Sequence, residues 1–258
     1  MEELPFSNRL FREAHQVLMK GVRGENKTPG EFRKSQNWIG GVNLKEARFV
    51  PPHPTLVPDL MSDLEKFLNN EEIHVPHLIR IALAHYQFEA IHPFLDGNGR
   101  IGRLMIILYL VNRKMLHKPV LYLSDYIEKN RMQYYDLLAA VSQGKGIVPW
   151  LRFMLRGISE TAKSAGNTFI KIFAMRKRLE QETLMSLGKR IPNAQKLLLV
   201  LFEYPVITVQ EVMQKMSVTK QTAHNLVEDF TRLGILKEKT GYKRNRVFVF
   251  EEYMGFFR

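Results

Sequence analysis

The chain contains 258 residues, of which 45% are hydrophobic and 25% are charged, and it has no Cys. These proportions are typical of a globular protein with one large domain or two smaller ones, and they exclude a disordered or fibrous chain. The lack of Cys excludes disulfide bonds, thiolate-bound zinc and cysteine nucleophiles, and it fits a reducing compartment. Any metal ion must therefore be held by oxygen or imidazole ligands.

The charge balance indicates the class of ligand, and the hydropathy pattern indicates the cellular location. Lys and Arg number 38 against 26 for Asp and Glu, a net charge of +12, which favours polyanionic ligands such as nucleotide phosphates or nucleic acid. The alternative is that the excess positive charge only forms a solvated surface and binds no particular ligand. No stretch reaches the roughly 18 apolar residues of a membrane span, and the acidic N-terminus lacks the pattern of a secretory signal. We therefore expect a cytoplasmic protein with no membrane partner.

The first two thirds of the chain are predicted to be helical, because apolar residues recur there at helical spacing. The predicted helices are Phe6–Lys20, Pro58–Leu68, Pro76–Ile91, Gly99–Met115, Ser124–Gln143 and Pro149–Leu187. Whether the last helix is broken near Gly166 is left open. Between the first two, the Gly- and Pro-rich segment Gly21–Pro54 is interpreted as a short hairpin or flap.

After Arg190-Ile191-Pro192 the pattern changes to three short helices and a basic hairpin, which predict a winged helix. The helices are Asn193–Tyr204, Thr208–Met216 and Thr219–Leu233, and the strands are Ile235–Lys239 and Arg246–Phe250. The prediction is thus a mainly α fold, with a helical bundle and a β-hairpin flap followed by a winged-helix domain. The expected divisions are residues 1–155 with the flap near 37–52, a helical linker over 156–191, and the winged helix over 192–258.

The densest cluster of functional residue types is the segment from His92 to Arg103, HPFLDGNGRIGR. Gly97 and Gly99 permit backbone conformations in which successive N–H groups converge on one anion at the start of the next helix. Arg100 and Arg103 lie three residues apart on that helix, and a guanidinium can bind two phosphate oxygens at once. These features indicate a phosphate site.

The same segment supplies a metal ligand and a base. Asp96 offers a hard oxygen to Mg²⁺, which takes only one or two carboxylates besides substrate phosphates. His92 has an ordinary pKa that permits proton abstraction near neutral pH, so it is the candidate base. Taken alone, Asp-Gly-Asn-Gly is a common turn and a His at a helix end is commonly a capping or packing residue. The ordered combination favours the functional interpretation.

This segment resembles the Fic family, since it matches each position of the signature His-x-Phe-x-Asp/Glu-Gly-Asn-Gly/Lys-Arg-x-x-Arg. The stretches Ser35–Gly41, Ala82–Tyr86 and Pro149–Phe153 are also similar to Fic proteins. With its winged helix, the chain resembles a bacterial two-domain Fic architecture. The resemblance implies that residues 1–155 form a Fic catalytic domain, which transfers AMP from ATP to a Ser, Thr or Tyr hydroxyl of a protein, itself included, and releases pyrophosphate.

Carried over position by position, the resemblance implies a role for each residue of the signature. His92 takes the proton from the target hydroxyl, and Asp96 holds Mg²⁺ between the α- and β-phosphates of ATP. Gly97, Asn98 and Gly99 cradle the phosphates.

The later positions of the signature complete the nucleotide site. Arg103 neutralises the terminal part of the triphosphate. Arg100 is expected to bind nucleotide or to organise the loop, and Gly102, between the two arginines, is also expected to be part of the nucleotide-binding site. Phe94 is expected to anchor the loop in the core, both by the resemblance and by its chemistry.

Two further regions are expected to touch the nucleotide. The flap residues Ile39, Gly40, Gly41 and Val42 resemble the edge that contacts nucleotide in Fic proteins and aligns the target segment by strand addition. Tyr134, with Tyr135, is similar to the adenine-side aromatic of the family. The alternative for both is a pair of core tyrosines on a buried helix.

One departure from the family concerns regulation. Many Fic proteins carry an inhibitory helix marked Ser/Thr-x-x-x-Glu-Gly/Asn, whose Glu pairs with the last Arg of the signature. Neither Glu25 nor Glu128 stands in such a motif in this sequence. We therefore expect a shortened form in which Arg103 is unopposed and the enzyme is constitutively active.

The partner of the winged helix is left open. Lys220, Gln221, His224 and Asn225 are predicted to face outward, with Lys243, Arg244 and Arg246 in the hairpin, where such residues reach DNA. Glu228, Asp229 and Glu238 dilute that basic face, and a protein partner or a homodimer is the alternative. For the whole chain, the rivals are a nucleotide-sensing transcriptional regulator and an enzyme that transfers another phosphate-containing group or removes AMP.

Overall fold

The computed structural model describes residues 6–21, 27–118, 121–242 and 244–257. The chain divides into two compact units, Met1–Lys163 and Ser164–Arg258. Each unit has its own apolar core. Within the described ranges, no helix combines the length and the apolar character that crossing a membrane requires.

The first unit is built from helices. They are α1 Asn8–Leu18, α2 Val57–Asn69, α3 His77–Ile91, α4 Asn98–Asn112, α5 Leu123–Lys129, α6 Arg131–Ser142 and the start of α7 Val148–Arg178. Ser7 begins α1 by accepting a hydrogen bond from Leu10 N at 3.2 Å. Pro58 stands in the first turn of α2, where its missing N–H costs nothing.

The helices α3 and α4 form the centre of this unit. Both are apolar on most faces, and their side chains Ile81, Phe88, Ile101 and Met105 are at most 1% exposed. The chain between them, residues 92–97, is the first half of the signature segment. The packing of α3 on α4 therefore fixes both ends of the candidate site.

Two helix predictions are corrected by the structure. The segment predicted as one helix over Ser124–Gln143 is broken at Asn130, whose Nδ2 donates to Tyr126 O at 2.8 Å and satisfies a carbonyl at the end of α5. The helix α7 runs through Gly166, where no break occurs. The α-helical conformation ends at Arg178, before the predicted end at Leu187, and is followed over Leu179–Arg190 by π and 3₁₀ turns in which Gly188 has a φ of 53°.

The second unit contains short helices and a three-stranded sheet. Its elements after α7 are α8 Ile191–Glu203, β1 Val206–Thr208, α9 Val209–Met216, α10 Lys220–Arg232, β2 Lys237–Glu238, β3 Val247–Val249 and α11 Glu251–Gly255. The sheet is antiparallel with the order β1-β3-β2, and Phe248 lies opposite both Ile207 and Glu238. The mainly α class is confirmed, and the helices and hairpin predicted here are present.

The outward face predicted for α10 needs one correction. Asp229 is 5% exposed, and it pairs with Arg190 at 2.5 Å and Arg232 at 2.8 Å. Its buried carboxylate is therefore paired with two arginines whose side chains are 50% and 66% exposed, and it adds no unpaired negative charge to the outward face of α10. Lys243 lies outside the described residues.

Candidate active site

The signature segment reverses the chain between α3 and α4 through two left-handed residues. His92, at the end of α3, has a φ of 49°, and Gly97, before α4, has a φ of 80°. A Cβ on Gly97 would lie 3.0 Å from Met19 Sδ and 3.3 Å from His15 Nε2. Positive φ and close packing therefore both require glycine at this position.

Arg33 holds the backbone at the base of this loop. It is 2% exposed, its Nε donates to His92 O at 2.9 Å, and its Nη2 donates to Pro52 O at 2.6 Å. Its backbone N–H donates to Pro93 O at 2.8 Å. One buried guanidinium thus fastens the end of α3 to the chain that leaves the flap, which fixes the position of the His92 backbone.

The side chain of Asn98 closes the loop from the other side. Its Oδ1 accepts from Phe94 N and its Nδ2 donates to Phe94 O, each at 2.8 Å. Asn98 is 2% exposed, so its amide is used within the loop and only its backbone N–H remains for an anion. Phe94 is fully buried, which confirms its predicted role as the anchor of the loop.

The N-terminus of α4 is open for an anion. Its N-cap, Gly97, makes no side-chain hydrogen bond to the helix. The first-turn N–H groups of Asn98, Gly99 and Arg100 have no acceptor within the helix, and the helix dipole favours negative charge at this end. Such a terminus binds a phosphate group.

His92 has the tautomer that a base requires. Its Nδ1 lies 3.3 Å from Glu89 O, a carbonyl that can only accept, so Nδ1 carries the hydrogen and Nε2 keeps its lone pair. Burial lowers the pKa of His92 to about 4. The ring is therefore neutral at neutral pH and free to accept a proton at Nε2.

Asp96 is the carboxylate that the structure offers to a metal ion. Its Oδ1 accepts from Gly97 N at 2.6 Å, and its Oδ2 lies 3.7 Å from Lys27 Nζ. The described residues contain no group of three His, Asp or Glu side chains that could hold an ion by themselves. This donor set fits Mg²⁺ that is held mainly by phosphate and water with one protein carboxylate.

The two signature arginines point to different neighbours. Arg100 Nη2 donates to Met19 Sδ at 3.1 Å, towards α1. Arg103 Nε donates to Ser124 Oγ at 3.1 Å, and its Nη1 lies 3.2 Å from the position of a Cβ on Gly99. Arg103 is thus the guanidinium beside Gly99, whereas Arg100 braces the loop against α1.

A cavity of about 110 Å³ opens beside His92. It brings the end of α3, the start of α4, the flap and α6 together. Its walls are Ile39, Arg48, Phe49, Tyr86, Glu89, Ala90, His92, Gly99, Tyr135, Leu138, Ala139 and Ser142. Of the residues predicted to contact nucleotide outside the signature, Ile39 and Tyr135 line the cavity and Gly40, Gly41, Val42 and Tyr134 do not.

Tyr134 lies in the core. It is 3% exposed, its ring centroid is 5.5 Å from that of Trp150, and its hydroxyl is 3.0 Å from His85 Nε2. This arrangement corresponds to the core-tyrosine alternative, whereas Tyr135 reaches the cavity wall.

Among the described residues, the flap contains one β-bridge and no continuous ladder. Ile39 N donates to Phe49 O at 2.9 Å and Phe49 N donates to Ile39 O at 3.1 Å. The chain cannot extend the ladder beyond this bridge because Gly40 and Gly41 have φ values of 70° and 77°. An ion pair between Arg48 and Asp136 links the flap to α6.

Sequence reasoning missed three residues that shape the site: His15, Arg33 and Glu89. His15 follows Phe11 by four residues on the buried face of α1, a spacing that could have marked it. Glu89 is a carboxylate within the apolar run of α3, so it too is a polar residue at a position that the helical pattern marks as buried. Arg33 carries no signal, because its partners are backbone carbonyls 59 and 19 residues away.

Residues 5–110 match the Fic/DOC family. Two curated proteins named protein adenylyltransferase Fic, from Culex quinquefasciatus and Aedes aegypti, are 39% and 38% identical to this chain over 127 residues. That segment is 48% of this chain and 22% of each relative, so the chain matches less than a quarter of their length. The signature loop, the flap and α3 therefore lie in the part of the chain that matches the Fic/DOC family model.

A solved structure has a similar fold. It is a Fic family protein from Desulfovibrio desulfuricans G20, with a TM-score of 0.55 and 22% identity. The likeness covers 95% of this chain and 68% of that protein. At this identity the comparison bears on the fold alone.

Proposed function

We propose that this protein is an adenylyltransferase that moves AMP from ATP to a Ser, Thr or Tyr hydroxyl of a protein, itself included, with release of pyrophosphate. The observation that carries the proposal is the position of His92, whose ring lines a cavity beside Gly99 at the open N-terminus of α4. Relatives that match this chain over 127 residues are named protein adenylyltransferase Fic, which supports the proposal.

The chemistry assigned to the chain is one proton transfer and one phosphoryl displacement. Nε2 of His92 accepts the proton of the target hydroxyl while that oxygen forms a bond to the α-phosphorus. The bond from the α-phosphorus to the bridging oxygen breaks, and pyrophosphate leaves with the electron pair. The N–H groups that begin α4, together with Arg103, bind the phosphate oxygens and stabilise the charge that develops on them.

Asp96 is the residue that would hold Mg²⁺ in this scheme. The ion supplies neutralising charge to the phosphates when bound. Gly97 N keeps Asp96 Oδ1 in place at 2.6 Å, so the second oxygen, Oδ2, is the one that faces outward toward Lys27. The edge of the flap at Ile39 is assigned to the target segment, which would add to it as a strand.

The second unit is assigned as a winged helix, on the order of α8, β1, α9, α10, β2 and β3 in the chain. Three of the side chains that would meet DNA, Gln221, His224 and Asn225, are engaged with neighbours. Gln221 donates to Asn225 at 2.8 Å, and His224 lies 3.1 Å from Glu228. Light scattering tests the homodimer, and a salt-dependent gel shift with duplex DNA tests nucleic-acid binding.

The experiment that tests the reaction is intact-mass spectrometry of the protein after incubation with Mg-ATP. We expect added AMP in the native protein, and label from α-³²P-ATP but not from γ-³²P-ATP. The matched variants are His92→Ala, expected to lose about 10²–10⁴ in rate as for removal of a general base, and His74→Ala, an exposed His before α3. Label from γ-³²P-ATP, or undiminished AMP transfer by His92→Ala, would contradict the proposal.

A further inference from the structure

Glu89 is a buried carboxyl group whose chemistry the proposed reaction does not use. It lies on α3 between Phe88 and Ala90 and is 7% exposed. Its Oε1 is buried and has no hydrogen-bond partner among the described residues. A buried acceptor without a donor reduces the stability of the fold, so the presence of a carboxyl group at this position calls for an explanation.

The carboxyl group stands under the start of α4. A Cβ on Gly102 would come within 2.4 Å of Glu89 Oε1, so α4 passes directly over it. A Cβ on Gly99 would lie 3.9 Å from Glu89 Oε1 and 3.2 Å from Arg103 Nη1. Glu89 and Arg103 therefore flank Gly99, yet they are not among the ion pairs that the described residues form. Glu89 also lines the cavity beside His92.

Near neutral pH, Glu89 is the group at this site whose charge changes. Burial raises its pKa to about 7, against the opposing effect of Arg103. Burial lowers the pKa of His85 to about 3 and that of His92 to about 4, and it raises the pKa of Tyr134 well above 10. The other polar groups that face the cavity are Arg48 from the flap, Tyr86 from α3, and Tyr135 and Ser142 from α6.

We propose that Glu89 sets the affinity of the loop for a nucleoside triphosphate. In its neutral form it leaves Arg103 and the α4 N-terminus free to attract the polyanion, and in its ionised form it opposes that attraction. The proposal rests on the proposed function, because ATP is the ligand assigned to the loop. By linkage, triphosphate binding holds the proton on Glu89, so the protein takes up a proton as it binds.

Titration calorimetry with Mg²⁺ and α,β-methylene-ATP, which cannot release pyrophosphate, tests this on the full chain. We expect the affinity of the native protein to fall by about tenfold between pH 6 and pH 8.5, since a tenfold change corresponds to a shift of one pKa unit. Repeating the titration at pH 7.5 in two buffers of different ionisation enthalpy measures proton uptake directly, and we expect uptake by the native protein.

Three variants separate charge from shape. Glu89→Gln keeps the side-chain size but cannot ionise, so it should bind as tightly at pH 8.5 as at pH 6 and take up no proton beyond what the ligand itself contributes. Glu89→Asp should keep a pH-dependent affinity. Glu72→Gln, which removes the charge of an exposed Glu before α3, should behave as the native protein.

The outcomes separate the two proposals. Binding of the analogue by the native protein with no proton uptake would contradict the role of Glu89, and so would an unchanged pH dependence in Glu89→Gln. The first of these needs no variant, so a failure of Glu89→Gln to fold leaves the test intact. If neither the native protein nor any variant binds the analogue at any pH, the proposed function itself is wrong, and the proposed role of Glu89 is then wrong as well.

Discussion

The imidazole of His15 lies flat against the ring of Phe94, with centroids 3.9 Å apart and planes 3° from parallel. The same imidazole accepts at Nδ1 from Gly30 N at 2.8 Å, so it is neutral and its Nε2 donates to Asp96 O at 3.0 Å. Two contacts of one residue on α1 thus hold the loop, and the third ties the same imidazole to the backbone at Gly30. Burial lowers the pKa of His15, which keeps this neutral form.

We expect His15→Phe to keep the stacking on Phe94 but to lose both hydrogen bonds. Gly30 N and Asp96 O would then lose their partners in partly buried positions, and the free energy of unfolding should fall by about 1–3 kcal/mol. Urea unfolding measures this loss, with Gln16→Ala on the exposed side of α1 as the control. A His15→Phe variant as stable as the native protein would show that the two hydrogen bonds contribute little.

Gly102 and Gly166 give opposite predictions for the same substitution. Gly102→Ala would place a Cβ against Glu89 Oε1 and 3.0 Å from His85 Cε1, so these buried side chains must shift or α4 must move away from α3. We expect a loss of about 1–3 kcal/mol, as for overpacking of a core.

Gly166→Ala is the matched control, because that position is helical and nothing lies within 4 Å of its Cβ. It should stabilise the protein by up to about 1 kcal/mol through helix propensity alone. Thermal unfolding measures both variants. A stabilising Gly102→Ala would mean that α3 and α4 are farther apart than the structure has them.

The sequence predicts the helices of the first unit well because their signal is local. Apolar periodicity and start residues place α2 within one residue at each end, and α1, α3 and α4 within three. The sequence predicts the phosphate-binding loop for a similar reason, since its glycines, carboxylate and arginines lie within one short segment of the chain. Such features need no knowledge of tertiary contacts.

The parts that the sequence did not predict depend on distant contacts. The strand β1 has three residues and pairs with β3 some 40 residues later, and that pairing stabilises it more than its own propensity. The position of Tyr134 depends on how α6 packs against Trp150, and the same periodic pattern fits a tyrosine in the core or at a cavity. The resemblance assigns Asn98 to the phosphates, whereas its side chain bonds to Phe94, and those bonds depend on the shape of the loop.

His92 predicts how acid affects stability. Its pKa is about 4 in the folded protein against an ordinary value of 6.5. Between these pH values the unfolded chain binds a proton that the native chain does not, so the free energy of unfolding should fall as the pH falls from about 6.5 to about 4, and the contribution should level off below that.

The check is urea unfolding of His92→Asn across this pH range. The variant should lose less stability on acidification than the native protein does, because it cannot take up the proton in either state. His74→Asn removes an exposed His and should leave the native acid dependence unchanged. If His92→Asn and the native protein have parallel profiles, the imidazole is more accessible to water than its burial indicates.

The ion pair between Arg48 and Asp136 predicts an effect on ligand binding that exceeds its effect on stability. Both side chains are exposed, at 44% and 59%, so breaking the pair should change the free energy of unfolding by less than about 1 kcal/mol. Arg48 also lines the cavity, and the pair links the flap to α6 across it. Either single alanine variant should therefore weaken binding of α,β-methylene-ATP.

A double-mutant cycle of Arg48→Ala and Asp136→Ala distinguishes a link from two separate effects. If the flap is held over the cavity by the pair, the double variant should bind the analogue about as weakly as the weaker single variant, since the second substitution removes nothing further. The exposed Arg9–Glu13 pair on α1 serves as the control cycle and should leave the affinity unchanged. Additive losses at Arg48 and Asp136 would mean that each side chain contributes separately and that the pair does not hold the flap over the cavity.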